Sequence, residues 1–322
     1  MREPVLSIRN LKTHFFTRRG VVKAVDGIDF DFLKGECLCI VGESGCGKTV
    51  TALSVLGLID SPPGKIVNGE IIYNGLDLLK CTPEQLRHIR GKEIAMIFQD
   101  AQSALNPVFT IGDQIMEQIA LHLAVDSSEA KEMTISLLKE VGIPSTEKAV
   151  DYYPHQLSGG MKQRAMIAMS LSCDPQVLIA DEPTTAVDVT IKAQIIDILL
   201  RLKETRQMSI LFITHELGIV SEIGDRTVVM YAGRVAEVAA VSELLNSPKH
   251  PYTAGLINCL PSVTKVGGRL ESIPGTVPSL IDPPSGCLFH PRCSKVMAIC
   301  REEQPPPIIV KGEHKVFCHL YS

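Results

Sequence analysis

The sequence contains no tryptophan, and aromatic residues make up only 5% of its 322 positions. Aromatic rings are the platforms on which unpaired bases stack, so this scarcity argues against a single-stranded nucleic-acid binder. A basic excess is lacking as well, because 32 Lys and Arg stand against 36 Asp and Glu, for a net charge of −4. Without a positive field, nucleic acid is not an expected partner.

Long apolar runs are also missing. No stretch of about 18 apolar residues occurs, so the sequence predicts no membrane-spanning helix. The first residues, MREPVLSIRNL, lack the apolar core of a signal peptide. We therefore expect a cytosolic chain whose thiols stay reduced. What is present is ordinary globular composition, with 45% apolar and 21% charged residues, in a length sufficient for one large domain or two smaller ones.

Short apolar segments alternate with helical ones, which favours an α/β fold with a largely parallel sheet. The predicted buried strands are Glu36–Val41, Ile94–Phe98, Val177–Ala180 and Ser209–Ile213. A further predicted strand, Val67–Tyr73, is followed by Asn74-Gly75. This dipeptide is a hairpin signal, so we expect an antiparallel β piece near the N-terminus.

Helical patterns dominate the middle of the chain. Thr82-Pro83-Glu84-Gln85 predicts a helix start with a capping box. Asp113–Leu123 and Ser128–Val141 lie in a helical stretch that we interpret as a subdomain at about 100–168, inserted into an α/β core of residues 1–245. Eleven of the twenty prolines follow Asn246, which predicts a loop-rich C-terminal extension over 246–322.

The first motif that predicts a chemical function is a glycine-rich loop. The octapeptide Gly42-Glu43-Ser44-Gly45-Cys46-Gly47-Lys48-Thr49 fits G-x-x-x-x-G-K-[ST], between a predicted strand and a predicted helix at Val50–Leu58. Its backbone N–H groups can surround phosphate oxygens, and the helix directs its positive end at them. Lys48 is expected to reach the β- and γ-phosphates, and the Thr49 hydroxyl to ligate Mg²⁺. The strand–loop–helix order disfavours an ordinary glycine-rich turn.

An apolar segment that ends in two acids, Val177–Glu182, supplies the second part. Asp181 suits a direct or outer-sphere role on Mg²⁺, and Glu182 can polarise an attacking water. Alone, the two acids would be interpreted as ordinary strand-end carboxylates. In a chain that also carries a phosphate loop, they predict nucleotide hydrolysis.

A second anion-binding device lies at Leu157-Ser158-Gly159-Gly160-Met161-Lys162-Gln163-Arg164, where a Ser and two glycines begin a predicted helix. One phosphate chain rarely needs two such loops, so two chains facing head to tail would each lend one loop to the other's nucleotide. With LSGGMKQR as signature, the sequence resembles the ATP-binding-cassette (ABC) ATPases. The resemblance implies an ABC-type P-loop ATPase core.

The resemblance also assigns roles to further residues. Gln99 in IFQD resembles the Q-loop glutamine, which senses the γ-phosphate, and His215 in FITHE resembles the switch histidine. Thr185-Ala186-Val187-Asp188 is similar to the D-loop. Phe15 resembles the aromatic that stacks on adenine, although Phe16 is an equally available neighbour.

Three sets of site residues follow. The expected catalytic residues are Glu182, His215 and Gln99. The expected nucleotide-binding residues are Phe15, Gly42, Glu43, Ser44, Gly45, Cys46, Gly47, Lys48, Thr49, Thr51 and Asp181, with Ser158, Gly159 and Gly160 serving the opposed nucleotide. The expected Mg²⁺ ligands are Thr49, Gln99 and Asp181. Cys46 stands where Ser is more usual, and beside Lys48 and a helix N-terminus we expect a lowered thiol pKa.

Three more segments resemble the ATPase subunits of dipeptide and oligopeptide importers: Ala101–Pro107, Tyr153–Leu157 and Pro248–Thr253. The resemblance implies an ATPase, a translocase subunit on the cytoplasmic face of the membrane that powers import of dipeptides, oligopeptides or a related solute. Its implied partners are two integral membrane permease subunits, a second ABC ATPase subunit of the same or a different sequence, and indirectly an extracytoplasmic solute-binding protein. From the residues alone, PKHPYT at 248–253 is a turn-prone surface loop without chemistry.

Two other functions stay open at this point. One is a soluble ABC ATPase in an assembly or translation process. The other is a nucleotide-binding regulator without turnover, which the presence of Glu182 disfavours.

Four of the ten cysteines, Cys287, Cys293, Cys300 and Cys318, fall in the last 36 residues. Their spacing, C-x5-C-x6-C-x17-C, lacks the C-x2-C pairs of common zinc sites. Four thiolates suit Zn²⁺ or an iron–sulfur cluster, and a metal cross-link could order a proline-rich segment with little core. Unligated reduced thiols are the remaining alternative. The family resemblance implies a [4Fe–4S] cluster, with Zn²⁺ second.

Overall fold

A computed structural model describes residues 3–185, 187–259 and 273–322 of the chain. Ala186, in the D-loop segment, lies outside the described residues. The chain divides into two compact units. Unit 1 comprises Met1–Lys80 and Ile213–Ser322, and unit 2 comprises Cys81–Phe212.

The strands of the described residues are β1 (Pro4–Thr17), β2 (Gly20–Leu33), β3 (Cys37–Val41), β4 (Gly64–Tyr73), β5 (Leu76–Asp77), β6 (Ile94–Ile97), β7 (Val177–Asp181), β8 (Ser209–Thr214), β9 (Arg226–Tyr231), β10 (Arg234–Ala240), β11 (Pro307–Lys311) and β12 (His314–Phe317). All five strands predicted from the sequence are confirmed, four of them as β3, β6, β7 and β8, whose residues are all buried.

The helices are α1 (Lys48–Val55), α2 (Pro83–Ile89), α3 (Ala101–Ala104), α4 (Ile111–His122), α5 (Ser127–Glu140), α6 (Thr146–Ala149), α7 (Gly159–Ser170), α8 (Val189–Arg206), α9 (Leu217–Ile223), α10 (Val241–Asn246), α11 (Pro251–Asn258) and α12 (Ile299–Glu302). The predicted capping box of α2 is present, because Thr82 and Gln85 cap each other's backbone N–H groups. Among the described residues, no helix is both long and apolar enough to cross a bilayer.

Unit 1 contains an antiparallel sheet in the order β2-β1-β4-β5. The predicted hairpin is confirmed, since Tyr73 pairs with Leu76 across a two-residue turn in which Asn74 and Gly75 both have positive φ, 45° and 83°. A second group of strands in this unit places β3 parallel to β9, and β9 antiparallel to β10. The parallel pair ends at Val41, immediately before the glycine-rich loop.

The C-terminal extension contributes regular structure to unit 1. Its strand β12 pairs antiparallel with β10, through Glu237 and Val316, and β11 pairs with β12. Pro307 begins β11, and proline is confined to edge strands or to the first residue of a strand because it donates no ladder hydrogen bond. β11 follows this rule, since β12 is its only recorded partner among the described residues.

Unit 2 combines the parallel pair β6 and β7 with the helices α2 to α8. The helical segments expected at Asp113–Leu123 and Ser128–Val141 are present as α4 and α5, and α6 and α7 follow them. Arg164 ties α7 to the end of α5, because its Nη1 donates to the carbonyls of Val141 and Gly142 at 2.8 and 3.0 Å. The limits assigned from the sequence, 1–245, 100–168 and 246–322, stay predictions.

Candidate nucleotide site

The glycine-rich loop connects β3 to α1 in unit 1, as the sequence predicted. Gly47 has a φ of 103°, in the left-handed region, and a Cβ at this position would run into the Ala24 carbonyl. Ser44 and Gly45 are exposed, whereas Gly42 and Gly47 are buried. The middle of the loop is therefore open to a ligand, and its two ends are packed against the unit.

The lysine of the loop is held by the loop itself. Lys48 is buried, and its Nζ donates to the carbonyls of Gly42 at 2.8 Å and Glu43 at 3.2 Å. The side chain of Lys48 therefore reaches from the end of the loop back to its first two residues. Thr49 is partly exposed. Thr51 is fully buried, and its hydroxyl donates to the Gly47 carbonyl at 2.9 Å, so it holds the first turn of α1.

The expectation of a lowered pKa for Cys46 is wrong. The side chain is 1% exposed, and burial raises the pKa of its thiol more than the nearby Lys48 lowers it. Desolvation disfavours the charged thiolate, and it outweighs a single neighbouring cation. Cys46 is therefore a buried packing residue of the loop.

Two other predicted residues of unit 1 lie at strand ends. Phe15 on β1 is partly buried, and its ring lies against Gly64, while Phe16 is 51% exposed. Consecutive strand residues point to opposite faces, so the two rings do not share one surface. His215 follows β8 directly and is exposed.

In unit 2, the structure brings Gln99 and Glu182 together. Oε2 of Glu182 accepts hydrogen bonds from Nε2 of Gln99 and from Oγ1 of Thr185, both at 3.1 Å. Glu182 has a φ of 45°, which is strained for a residue with a side chain and typical of functional positions. Asp181, at the end of β7, is 1% exposed. The two acids therefore have different surroundings: Asp181 is buried, and Glu182 lies beside Gln99.

The signature motif lies at the start of α7. Ser158 is the N-cap, and its Oγ accepts the N–H of Met161 at 3.3 Å. Ser158 and Gly159 are exposed, and a Cβ at Gly159 would meet nothing within 4 Å. The helix start therefore offers open backbone N–H groups, as an anion site requires. Asp188 caps α8 in the same way, accepting the Ile191 N–H at 2.9 Å.

The interpretation of residues 248–253 as a surface loop is wrong. His250 and Tyr252 are buried, and Pro251 begins α11. The N–H groups of Lys249 and His250 donate to the buried carboxylate of Glu237 at 2.7 and 2.9 Å. Burial lowers the pKa of His250 to about 4, and its neutral Nδ1 accepts the N–H of Tyr252 at 3.0 Å. The segment is a buried corner, and not a mobile turn.

This corner reaches the phosphate loop, which the sequence did not reveal. The hydroxyl of Tyr252 accepts the backbone N–H of Glu43 at 3.0 Å. The Tyr252 ring contacts those of Tyr231 and Phe289, with centroids 4.6 and 5.4 Å away. Arg292 adds an ion pair with the Glu43 carboxylate at 2.7 Å. No local pattern links positions 43, 252 and 292, so no sequence signal could have found these contacts.

The four C-terminal cysteines lie in electrostatic range of one another. Burial, together with the nearby Cys300, Cys318 and Cys293, raises the pKa of Cys287 to about 11. Three of the sulfurs accept a backbone N–H from the residue two positions on, Phe289, Lys295 and Leu320 respectively for Cys287, Cys293 and Cys318. Within the described ranges, however, no group of three or more His, Cys, Asp or Glu is close enough to hold a metal ion.

The fold and the glycine loop define a P-loop nucleotide-binding protein. A buried parallel strand leads into a loop closed by its own lysine, and a helix follows. The profile of the ABC transporter family matches residues 25–185, and that of the oligopeptide/dipeptide transporter C-terminal region matches residues 236–300. The chain belongs to the ABC transporter family, as its signature motif predicted, and it is an ATPase.

Curated relatives match along almost the entire chain. A probable peptide ABC transporter ATP-binding protein, y4tR of Sinorhizobium fredii, is 47% identical over 98% of this chain and 94% of its own length. The dipeptide transport ATP-binding protein DppD of Bacillus subtilis is 45% identical over 99% of this chain and 95% of its own length. The oligopeptide transport ATP-binding protein AppD of the same organism is 47% identical over 99% and 97%.

Solved structures confirm the cassette fold. The ATP-binding cassette MJ0796, solved as a dimer bound to ADP and Pi, has a TM-score of 0.66 at 23% identity and covers 73% of this chain and 98% of its own. The cbiO1 protein of Clostridium perfringens, part of the ABC transporter complex cbiONQ, has a TM-score of 0.64 at 25% identity, over 76% of this chain and 92% of its own.

Proposed function

We propose that this chain is the ATP-hydrolysing subunit that powers import of dipeptides, oligopeptides or a related solute. The observation that carries the peptide assignment is the match of residues 236–300 to the oligopeptide/dipeptide transporter region, in a chain whose relatives are named for peptide transport. The chain works at the cytoplasmic face of the membrane with two permease subunits, a second cassette and, indirectly, a solute-binding protein.

The residues divide the work of hydrolysis. Phosphoryl transfer needs positioning and charge neutralisation more than covalent chemistry. Lys48 and the loop N–H groups bind the β- and γ-phosphates, and Ser158, Gly159 and Gly160 serve the nucleotide of the opposed cassette. Glu182 orients or deprotonates the attacking water, with Gln99 beside it, and His215 contacts the γ-phosphate. Phe15 or Phe16 stacks on adenine.

Magnesium suits the oxygen donors of this set. Mg²⁺ uses one or two carboxylates together with substrate phosphates and waters, so a cage of three acids is not needed. Thr49, Asp181 and Gln99 offer a hydroxyl, a carboxylate and an amide oxygen for this role. The ion would neutralise charge that develops between the β- and γ-phosphates.

Purification from membranes tests the transport role. The tagged full chain, carrying Glu182→Gln to slow turnover, is isolated in mild detergent with ATP, and its companions are identified by mass spectrometry. We expect two integral membrane subunits, and in the reconstituted unmodified complex an ATPase rate stimulated by peptide-loaded binding protein. Recovery with assembly factors or ribosomes alone would favour the soluble alternative, which the relatives do not support.

The four C-terminal cysteines support a second, separate proposal, a [4Fe–4S] cluster with Zn²⁺ as the alternative. A four-iron cluster is wider than a single ion, so its thiolates stand further apart than those around Zn²⁺. The proposal is supported by the electrostatic influence of Cys300, Cys318 and Cys293 on the thiol of Cys287, which requires the four side chains to lie in one region. Backbone N–H groups directed at Cys287, Cys293 and Cys318 lower the pKa of each thiol, although burial is the larger effect and raises it overall. The cluster would cross-link a segment with little core.

Anaerobic purification tests the cluster. We expect a brown protein containing iron and acid-labile sulfide, absorbing near ~400 nm as thiolate-ligated clusters do. Cys300→Ser should lower the iron content, whereas Cys259→Ser, which changes a cysteine outside the set, should not. A colourless protein that contains zinc would replace the cluster by the alternative, and a metal-free protein would refute both.

A further inference from the structure

The C-terminal extension reaches Glu43, the second residue of the phosphate loop, with two side chains. Tyr252 accepts the backbone N–H of Glu43 at 3.0 Å. Arg292 donates from Nη1 to Oε2 of the same residue at 2.7 Å and from Nη2 to Oε1 at 3.1 Å. The pairing is bidentate, which is the strong and geometrically specific form of an arginine–carboxylate contact. Backbone and side chain of Glu43 are thus both held from the extension.

All five N–H donors of Arg292 have acceptors. Besides the two bonds to Glu43, Nε donates to the Pro274 carbonyl at 2.9 Å, Nη2 to the Ile273 carbonyl at 3.4 Å, and Nη1 to the Tyr231 hydroxyl at 3.3 Å. The side chain of Arg292 is only 4% exposed. A guanidinium so fully bonded and so deeply buried is a fixed anchor, unlike a surface ion pair, which contributes little.

The same glutamate bears on Lys48. The Nζ of Lys48 donates to the carbonyl of Glu43 at 3.2 Å, so the backbone of Glu43 helps to place the ammonium group that is expected to bind phosphate. Glu43 is also the acidic residue of the phosphate loop, and its carboxylate carries a negative charge. Were it not held by Arg292, it could turn toward Lys48 and compete with phosphate for that ammonium.

We propose that Arg292 is a positioning residue for ATP binding. It holds the Glu43 carboxylate away from Lys48, so that nucleotide affinity depends on the C-terminal extension. The interaction acts on binding, because it neutralises a charge that would repel the bound triphosphate before and during the chemical step alike. Its removal should therefore raise KM for ATP and leave kcat nearly unchanged.

Kinetics of the full chain in its transporter complex test this. Arg292→Met removes the anchor with little loss of volume, and we expect KM for ATP to rise about tenfold while kcat changes less than about twofold. Arg301→Met is the matched control, because it removes an exposed arginine from the same extension. Arg292→Lys keeps the charge without the bidentate fork, and should fall between the two.

A second substitution separates positioning from misfolding. In Arg292→Met/Glu43→Gln the competing carboxylate is gone, and we expect KM to return to within about threefold of the unmodified value. A double variant as impaired as Arg292→Met would show that the extension had simply lost its structure, and would overturn the proposal. An unchanged KM in Arg292→Met would overturn it too.

The inference rests on ATP binding and hydrolysis, and not on the transported solute. Equilibrium binding of a fluorescent ATP analogue to the full chain repeats the comparison without any permease. A failed peptide-import experiment would therefore leave this result interpretable.

Discussion

Gln99 donates a hydrogen bond from Nε2 to Oε2 of Glu182 at 3.1 Å, and Thr185 donates from Oγ1 to the same oxygen at 3.1 Å. One carboxylate oxygen of the proposed base is thus fixed by two neutral donors on separate segments. A base oriented in this way needs no large rearrangement to meet a water molecule.

Replacing the base should abolish turnover and spare binding. Glu182→Gln keeps the size of the side chain and its acceptor oxygen, but it cannot take a proton. We expect kcat for ATP to fall by about 10²-fold or more, with ATP affinity within about threefold of the unmodified chain. Steady-state hydrolysis and nucleotide binding measure the two quantities. Glu204→Gln, an exposed change on α8, is the control. Unimpaired hydrolysis would show that Glu182 is not the base.

The orientation of Glu182 by Thr185 can be tested separately. Thr185→Val removes the hydroxyl and keeps the shape, so one hydrogen bond to Oε2 is lost. A typical net hydrogen bond is worth about 1 kcal/mol, so we expect kcat to fall roughly three- to tenfold without a change in KM. Thr190→Val, at an exposed position of α8, should leave the rate unchanged. Equal rates for both variants would mean that this hydroxyl does not position the base.

Cys46 should resist alkylation despite its place in the phosphate loop. Its pKa is raised by burial, so less thiolate is present at a given pH, and the sulfur is enclosed. Each unit of pKa reduces the thiolate fraction about tenfold. In brief treatments with iodoacetamide, peptide mapping should show Cys81 and Cys259, which are partly exposed, modified well before Cys46. Early labelling of Cys46 would contradict the buried position.

His250 should make the protein less stable in acid. Its pKa is lowered to about 4 by burial, against 6.5 when exposed. Above pH 6.5 both the folded and the unfolded chain hold it neutral, so it has no effect. Between pH 6.5 and 4 only the unfolded chain takes up the proton, so the free energy of unfolding falls as pH falls, by roughly 3 kcal/mol in all.

His250→Asn isolates this contribution. Asparagine can still accept the N–H of Tyr252 as an N-cap, but it does not titrate. We expect the variant to lose less stability than the unmodified chain between pH 6.5 and 4 in urea unfolding. His88→Asn, which replaces an exposed histidine on α2, is the matched control. Identical slopes for His250→Asn and the unmodified chain would show that His250 is not held neutral.

Much of the fold was predictable, because the parallel strands are short and buried on both faces. β3, β6, β7 and β8 read as continuous apolar runs, and the turn at Asn74-Gly75 has the residues that its positive φ values require. The turn of the β9–β10 hairpin contains no comparable turn dipeptide. Ala232 has a φ of 47° in its turn, a conformation that alanine rarely adopts.

The first hairpin was missed for another reason. β1 and β2 pair with several register shifts, so the alternation of apolar and polar residues is repeatedly interrupted. Within the site, ordered motifs predicted Lys48 and Glu182, because their spacing along the chain is itself the signal. Tyr252 and Arg292 act on Glu43 from 209 and 249 positions away. Contacts of that kind arise from tertiary packing, and no local rule contains them.

The pairing of β12 with β10 determines what a C-terminal truncation of this protein would remove. A chain shortened after Asn246 would keep every motif by which such cassettes are recognised, and it would still lose an edge of its sheet and both supports of Glu43. The composition changes near Asn246, but no boundary between compact units lies there, because the phosphate loop and the C-terminal extension belong to the same unit. A minimal cassette made by deletion would be a different enzyme, and nucleotide affinities measured on it would not transfer to the full chain.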